Sequence, residues 1–130
     1  MFINRIKYKN PSYLMRLALL QAQKNLGNTS DNPSVGCVIT KNNSVISAGC
    51  TSNNGRPHAE FNAIHNSKTN LKDAELYVTL EPCSHYGKTP PCTKSIINSG
   101  IKKVFFPIND PDLRSYSKSE KLLRKRNIKV

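Results

Sequence analysis

The sequence has no apolar run longer than a few residues, so nothing in it is long enough to span a bilayer as a helix. Met1-Phe2-Ile3-Asn4-Arg5 lacks the apolar stretch and small-residue cleavage site of a secretory signal, and a cytoplasmic protein is expected. No internal repeat and no linker interrupts the chain. Its 130 residues suffice to bury one core but not two, so residues 1–130 are expected to form a single domain. Acidic residues are scarce, 8 against 20 Lys and Arg, for a formal net charge of +12. That excess is spread along the chain, as in Ile6-Lys7-Tyr8-Lys9-Asn10 and Lys41-Asn42-Asn43. The densest run, Lys118 to Lys129, falls on a predicted helix and its exit, where it reads as a solvated face. A positive field favours an anionic partner, such as a phosphorylated substrate, without selecting one.

Periodicity divides what is present into alternating elements. Pro11-Ser12 opens a helix in which Leu14, Leu17, Ala18, Gln21 and Ala22 recur at helical spacing until Gly27. Residues 36–40 and 44–48 flank Lys41-Asn42-Asn43 as a β-hairpin. Ala59, Phe61, Ala63 and Ile64 suit a helix from His58 to about Asn66. Residues 75–80 read as a buried strand ended by Pro82, and residues 92–99 as a helix stopped by Gly100. Lys103-Val104-Phe105-Phe106 makes another strand, residues 117–126 a last helix, and Ile128-Lys129-Val130 a terminal strand. This alternation predicts an α/β fold, a mixed sheet covered by helices on both faces.

The chemistry is concentrated in His58-Ala59-Glu60, Pro82-Cys83 and Cys92. One imidazole and two thiolates suit zinc, and three protein ligands leave a fourth tetrahedral position open, the arrangement of catalytic rather than structural zinc. Both ligand-bearing stretches open helices, whose N-termini favour thiolate over thiol. Water at the open position is acidified to a pKa near ~7 and can attack an amidine-like ring carbon. Glu60, beside the metal but not needed by it, suits general acid–base transfer to the departing amine. The alternative is a closed zinc site that only staples loops. His65 is on the same helix face as His58 but roughly 10 Å along the axis. His85, two residues past Cys83, is close enough in sequence to bend inward as a fourth ligand. Cys37 and Cys50 lie in or beside apolar strands and read as core packing rather than as a disulfide.

Residues H-x-E followed by P-C and a further cysteine form the signature of zinc nucleobase deaminases, which place two residues between the cysteines. Here there are eight. The stretch Thr79-Leu80-Glu81-Pro82-Cys83-Ser84-His85-Tyr86-Gly87-Lys88-Thr89-Pro90-Pro91-Cys92 closely resembles the zinc loop of the riboflavin-pathway pyrimidine deaminases. Asn32-Pro33-Ser34-Val35-Gly36, Pro57-His58-Ala59-Glu60, residues 96–104 and Asp110-Pro111 extend that resemblance from about Tyr13 to Val130. It implies the cytidine-deaminase-like fold, a five-stranded mixed sheet in a three-layer α/β/α sandwich. It also implies deamination of 2,5-diamino-6-(5-phosphoribosylamino)pyrimidin-4-one, with Zn2+ as cofactor and a homo-oligomeric state. By position, His58, Cys83 and Cys92 bind zinc and Glu60 shuttles protons. Asn32 hydrogen-bonds the pyrimidine, Lys88 contacts the phosphate or its neighbourhood, and Asp110 faces the ribose. His85 and Ser84 shape the loop.

The chain also departs from that family. Thr51 stands where the family has a substrate-contacting histidine, and Asp112 where it has asparagine. Residues 113–119 carry no glycine, which removes close backbone approach to a ligand there. Arg114 offsets the acidity of Asp112. The family's reductase half is absent from these residues, so reduction of the product is expected to need a separate protein. Two other functions compete. A tRNA adenosine deaminase would suit the charge, but those enzymes carry the short cysteine spacing, which argues against nucleic acid as the partner. A zinc-bound, catalytically weak scaffolding protein would suit Thr51 and Asp112.

Overall fold

The computed structural model describes residues 10–114 and 116–130, so the leader reading at Met1–Arg5 lies outside the described residues. Helix α1 (Pro11–Gln23) starts where Asn10 accepts the Ser12 N–H at 2.9 Å and Pro11 enters the first turn, a standard N-terminal arrangement. Strands β1 (Gly36–Lys41) and β2 (Ser44–Cys50) form the expected hairpin. Asn42 and Asn43 both take positive φ (52° and 61°), the geometry a two-residue hairpin loop needs for strands of right-handed twist. A bulge between Ile39 and Thr40 shifts the register near that turn. Helix α2 is Ala59–Asn66, β3 is Glu75–Val78, α3 is Cys92–Ser99, β4 is Lys103–Phe105 and α4 is Lys118–Arg124. Gly100, at φ 85°, caps α3 in the left-handed conformation.

The sheet is mixed, in the order β2-β1-β3-β4, with β3 and β4 parallel and the other pairs antiparallel. Among the described residues it has four strands, not the five expected. Asn127, at φ 62°, turns the chain inward after α4, and only Lys129 then pairs with Lys103. Lys129 donates its N–H to Lys102 O at 2.9 Å and accepts that of Val104 at 2.8 Å, and no ladder continues from there. Strand β3 stops at Val78 rather than Leu80, because the Glu81 N–H leaves the sheet for Ile108 O at 3.0 Å and Pro82 has no N–H to offer.

Two glycines set the layers. Gly36 pairs with Cys50, and Gly49 with Cys37, so the two glycines point to opposite faces of the hairpin. A Cβ at Gly36 would meet Ala18 O at 1.8 Å, which places α1 directly on one face. A Cβ at Gly49 would meet Ala63 N at 2.6 Å and Ala59 O at 2.7 Å, which places α2 on the other. Cys37, Ile39, Leu76, Val78, Ile96, Val104 and Leu123 pack with Ala59 and Ala63 into the main core on the α2 side. Cys37 is fully buried there as a free thiol, as its apolar setting predicts, and all four cysteines are free. No helix among the described residues is long and apolar enough to cross a membrane.

Candidate metal centre and cleft

The same topology delivers three donors to one point. His58 is the N-cap of α2, and Cys92 is the first residue of α3, behind Pro91 at its N-cap. Cys83 follows β3 in the loop and is fixed from α3: Cys92 N–H donates to Cys83 Sγ at 3.2 Å and Thr93 N–H to Cys83 O at 3.2 Å. His58 Nδ1 lies 3.7 Å from Cys83 Sγ and 3.5 Å from Cys92 Sγ. All three donor atoms fall within 4.8 Å of one another, a spacing that one ion fits, and one nitrogen with two sulfurs is a donor set that suits zinc. Among the described residues no fourth His, Cys, Asp or Glu joins them. His65 is turned away, its Nδ1 3.0 Å from Phe61 O and its ring stacked on Phe61. The open-site arrangement therefore has the geometry, and the closed one lacks its ligand.

The three donors perturb one another's protonation. The hydrogen bond with Cys92 holds the Cys83 thiol down at about 4, so Cys83 is a thiolate at neutral pH. That bond to Cys83 pushes the Cys92 thiol up, and Cys83 likewise raises His58. Glu60, in the first turn of α2, is only 4% exposed. Burial pushes its carboxyl up to about 7, and the negative charge on Cys83 adds to the effect.

A cleft of about 730 Å³ opens over His58, Glu60 and Cys83. Asn32, Thr51 and Asp110 share its wall, whereas Lys88 is exposed and is not part of it. Asn32 donates through Nδ2 to Gly55 O at 2.9 Å, which leaves its Oδ1 to accept from a ligand. The Thr51 hydroxyl is engaged within the fold: it accepts the Val35 N–H at 2.9 Å and donates to Pro33 O at 3.2 Å, pinning the 33–35 segment to the end of β2. Arg114 forks onto Asp112 through Nε (3.0 and 3.1 Å) and Nη2 (2.6 Å), and that pairing holds the Asp112 carboxyl well below the usual range.

Two cleft residues were not legible from motif chemistry. Arg56 lines the wall two residues before His58. Glu81, 2% exposed, accepts four hydrogen bonds: Asp110 N–H and Ser117 N–H at Oε1 (3.1 and 2.9 Å), and Ser119 N–H and hydroxyl at Oε2 (3.3 and 2.7 Å). A glutamate before Pro-Cys gives no sequence signal of these partners, which lie about thirty residues away or more.

Residues 8–108 match the cytidine and deoxycytidylate deaminase zinc-binding region. The chain belongs to that family. Within it, the riboflavin biosynthesis protein RibD of Bacillus amyloliquefaciens is 43% identical over 118 residues, 91% of this chain and 32% of that protein. A diaminohydroxyphosphoribosylamino-pyrimidine deaminase of Buchnera aphidicola is 45% identical over 102 residues, 78% of this chain and 69% of that one. The crystal structure of a diaminohydroxyphosphoribosylaminopyrimidine deaminase/5-amino-6-(5-phosphoribosylamino)uracil reductase from Thermotoga maritima superposes with a TM-score of 0.86 at 40% identity, over 92% of this chain and 35% of that one. The chain thus spans about a third of the length of the RibD relatives it matches. The zinc-binding deaminase family accounts for the mixed sheet and for the metal-ready trio.

Proposed function

We propose that this chain is a zinc-dependent hydrolytic deaminase of riboflavin biosynthesis, acting in the cytoplasm on 2,5-diamino-6-(5-phosphoribosylamino)pyrimidin-4-one. The observation that carries the reading is the three-donor set of His58, Cys83 and Cys92, joined by no fourth His, Cys, Asp or Glu among the described residues, beside a buried Glu60 in the cleft. His58, Cys83 and Cys92 would hold the ion. When bound, zinc supplies a Lewis acid that makes water nucleophilic at neutral pH. Glu60 accepts the proton that water loses and delivers it to the ring amine. The C–N bond then breaks, a C–O bond replaces it, and ammonia leaves. A carboxyl held at about 7 suits both halves of that transfer, because neither protonation state is costly to reach at neutral pH.

The rest of the cleft orients the ring. The free Oδ1 of Asn32 accepts from the pyrimidine, Asp110 faces the ribose, and Thr51 serves as a buried part of the wall. Lys88, exposed on the zinc loop, contributes long-range positive charge near the phosphate. These 130 residues act as one deaminase unit, assembled as a homo-oligomer.

Purified protein with zinc bound is to be assayed for ammonia from the diamino-pyrimidine ribosyl phosphate, from cytidine and from a tRNA anticodon stem. Release from the first alone supports the proposal. Release from the tRNA alone, with the strong salt dependence that phosphate contacts bring, would replace it with a nucleic-acid deaminase.

A further inference from the structure

We propose that Arg56 is the phosphate contact of the cleft, the residue that selects a phosphorylated ribosyl pyrimidine over its unphosphorylated counterpart. The proposal rests on the deaminase reading above. Five carboxylates line the cleft, those of Asp31, Glu60, Glu81, Asp110 and Asp112, so an anionic ligand enters only where a cation offsets them. Two guanidiniums share that wall, Arg56 and Arg114. Arg114 is committed, since its fork is closed onto Asp112.

Arg56 stands differently. The ion pairs among the described residues are Lys103–Glu75, Arg114–Asp112 and Arg124–Glu120, and none of them uses it. Its Nη1 donates to Thr89 Oγ1 at 2.7 Å, and its Nη2 lies 3.4 Å from where a Cβ on Gly87 would sit. The bond to Thr89 tethers the guanidinium to the 83–92 loop at the rim of the cleft while leaving further N–H donors unused by any side-chain partner. A tethered planar fork of donors matches phosphate oxygens in a way that a lysine's single ammonium does not. Lys88 is the nearby cation on the same loop, and it lies outside the wall.

Ammonia release is to be measured for the wild type, Arg56→Ala, Arg56→Lys and Lys88→Ala, on the ribosyl phosphate substrate and on its dephosphorylated form. Binding of ribose 5-phosphate is followed by calorimetry in parallel, with zinc content and circular dichroism as controls for folding. Arg56→Ala is expected to raise KM for the phosphorylated substrate at least about tenfold, the loss of one charge-assisted hydrogen bond. It should leave kcat and the dephosphorylated reaction nearly unchanged and weaken ribose 5-phosphate to match. Arg56→Lys should fall between, keeping the charge and losing the fork, and Lys88→Ala should shift KM less than Arg56→Ala. Equal losses on both substrates, or unchanged KM and unchanged ribose 5-phosphate binding, overturn the proposal. Arg56-dependent binding of ribose 5-phosphate by a wild type that deaminates neither pyrimidine supports the role of Arg56 and contradicts the deaminase reading alone.

Discussion

Ser119 donates twice to the buried carboxylate of Glu81, through its hydroxyl at 2.7 Å and its N–H at 3.3 Å, both to Oε2. With Asp110 and Ser117 held at Oε1, Glu81, two residues before Cys83, ties the far wall of the cleft to the Cys83 loop. The cleft wall and the loop carrying Cys83 are thereby joined through one buried carboxylate.

Glu81→Gln keeps the shape but turns one oxygen into an amide donor facing donors. Unsatisfied buried polar groups cost about 1–3 kcal/mol, and denaturant unfolding should register a loss of that size. An unchanged midpoint at unchanged slope would mean that the four bonds contribute nothing net.

Glu60→Gln preserves volume and removes the carboxyl proposed to carry the proton. Deamination should fall by about 10² or more, while metal analysis still finds zinc at wild-type stoichiometry, because Glu60 is not one of the three donors. Activity within a few-fold of wild type would assign proton transfer to another group.

Gly36→Ala tests the layer packing. Its Cβ would sit 1.8 Å from Ala18 O, so α1 must lift from the sheet, at a cost of about 1–3 kcal/mol or more. Gly27→Ala is the control: nothing lies within 4 Å of its Cβ, and only the positive φ of 89° opposes it, for a cost nearer ~1 kcal/mol. Thermal melts of the two variants should rank in that order.

Tyr77 gives a stability signature at alkaline pH. Burial pushes its phenol from the ordinary 10.0 up to about 12, and Glu75, which accepts its hydroxyl at 3.2 Å, adds to the shift. The folded state keeps the proton that the unfolded chain releases, so this contribution is complete below pH 10 and is lost as pH rises toward 12. Tyr77→Phe keeps the stacking on Phe105 and removes the titration, so its melting temperature should fall less steeply than that of the wild type across that window. Parallel slopes would show that the phenol is not preferentially neutral in the fold.

What the sequence made legible was chemistry carried by residue type and short spacing. His58, Glu60 and Cys92 come together because each sits at a helix start, and helix starts are marked by local signals; Cys83, in the loop after β3, is held to them by the Cys92 N–H. The Asn42-Asn43 turn and the glycine stop of α3 were legible for the same reason. Long-range pairing was not. The terminal strand reads as well as any other by composition, yet its extent depends on a turn at Asn127 and on which carbonyls of β4 remain unpaired. Nothing in the sequence around Thr51 shows that its hydroxyl bonds the backbone of Val35 and Pro33 while the residue still lines the cleft. Lys88 and Arg56 are equally basic on paper, and only the folded loop puts one in the cleft and the other outside it.

The most direct test of zinc-dependent deamination is product analysis in heavy-oxygen water, with protein carrying about one zinc per chain and the diamino-pyrimidine ribosyl phosphate as substrate. Ammonia and a ring oxygen bearing the heavy label should appear in equal amounts, and both should vanish on chelation and return with zinc. Metal-loaded, folded protein that releases no ammonia, or that forms product without the label, would contradict it.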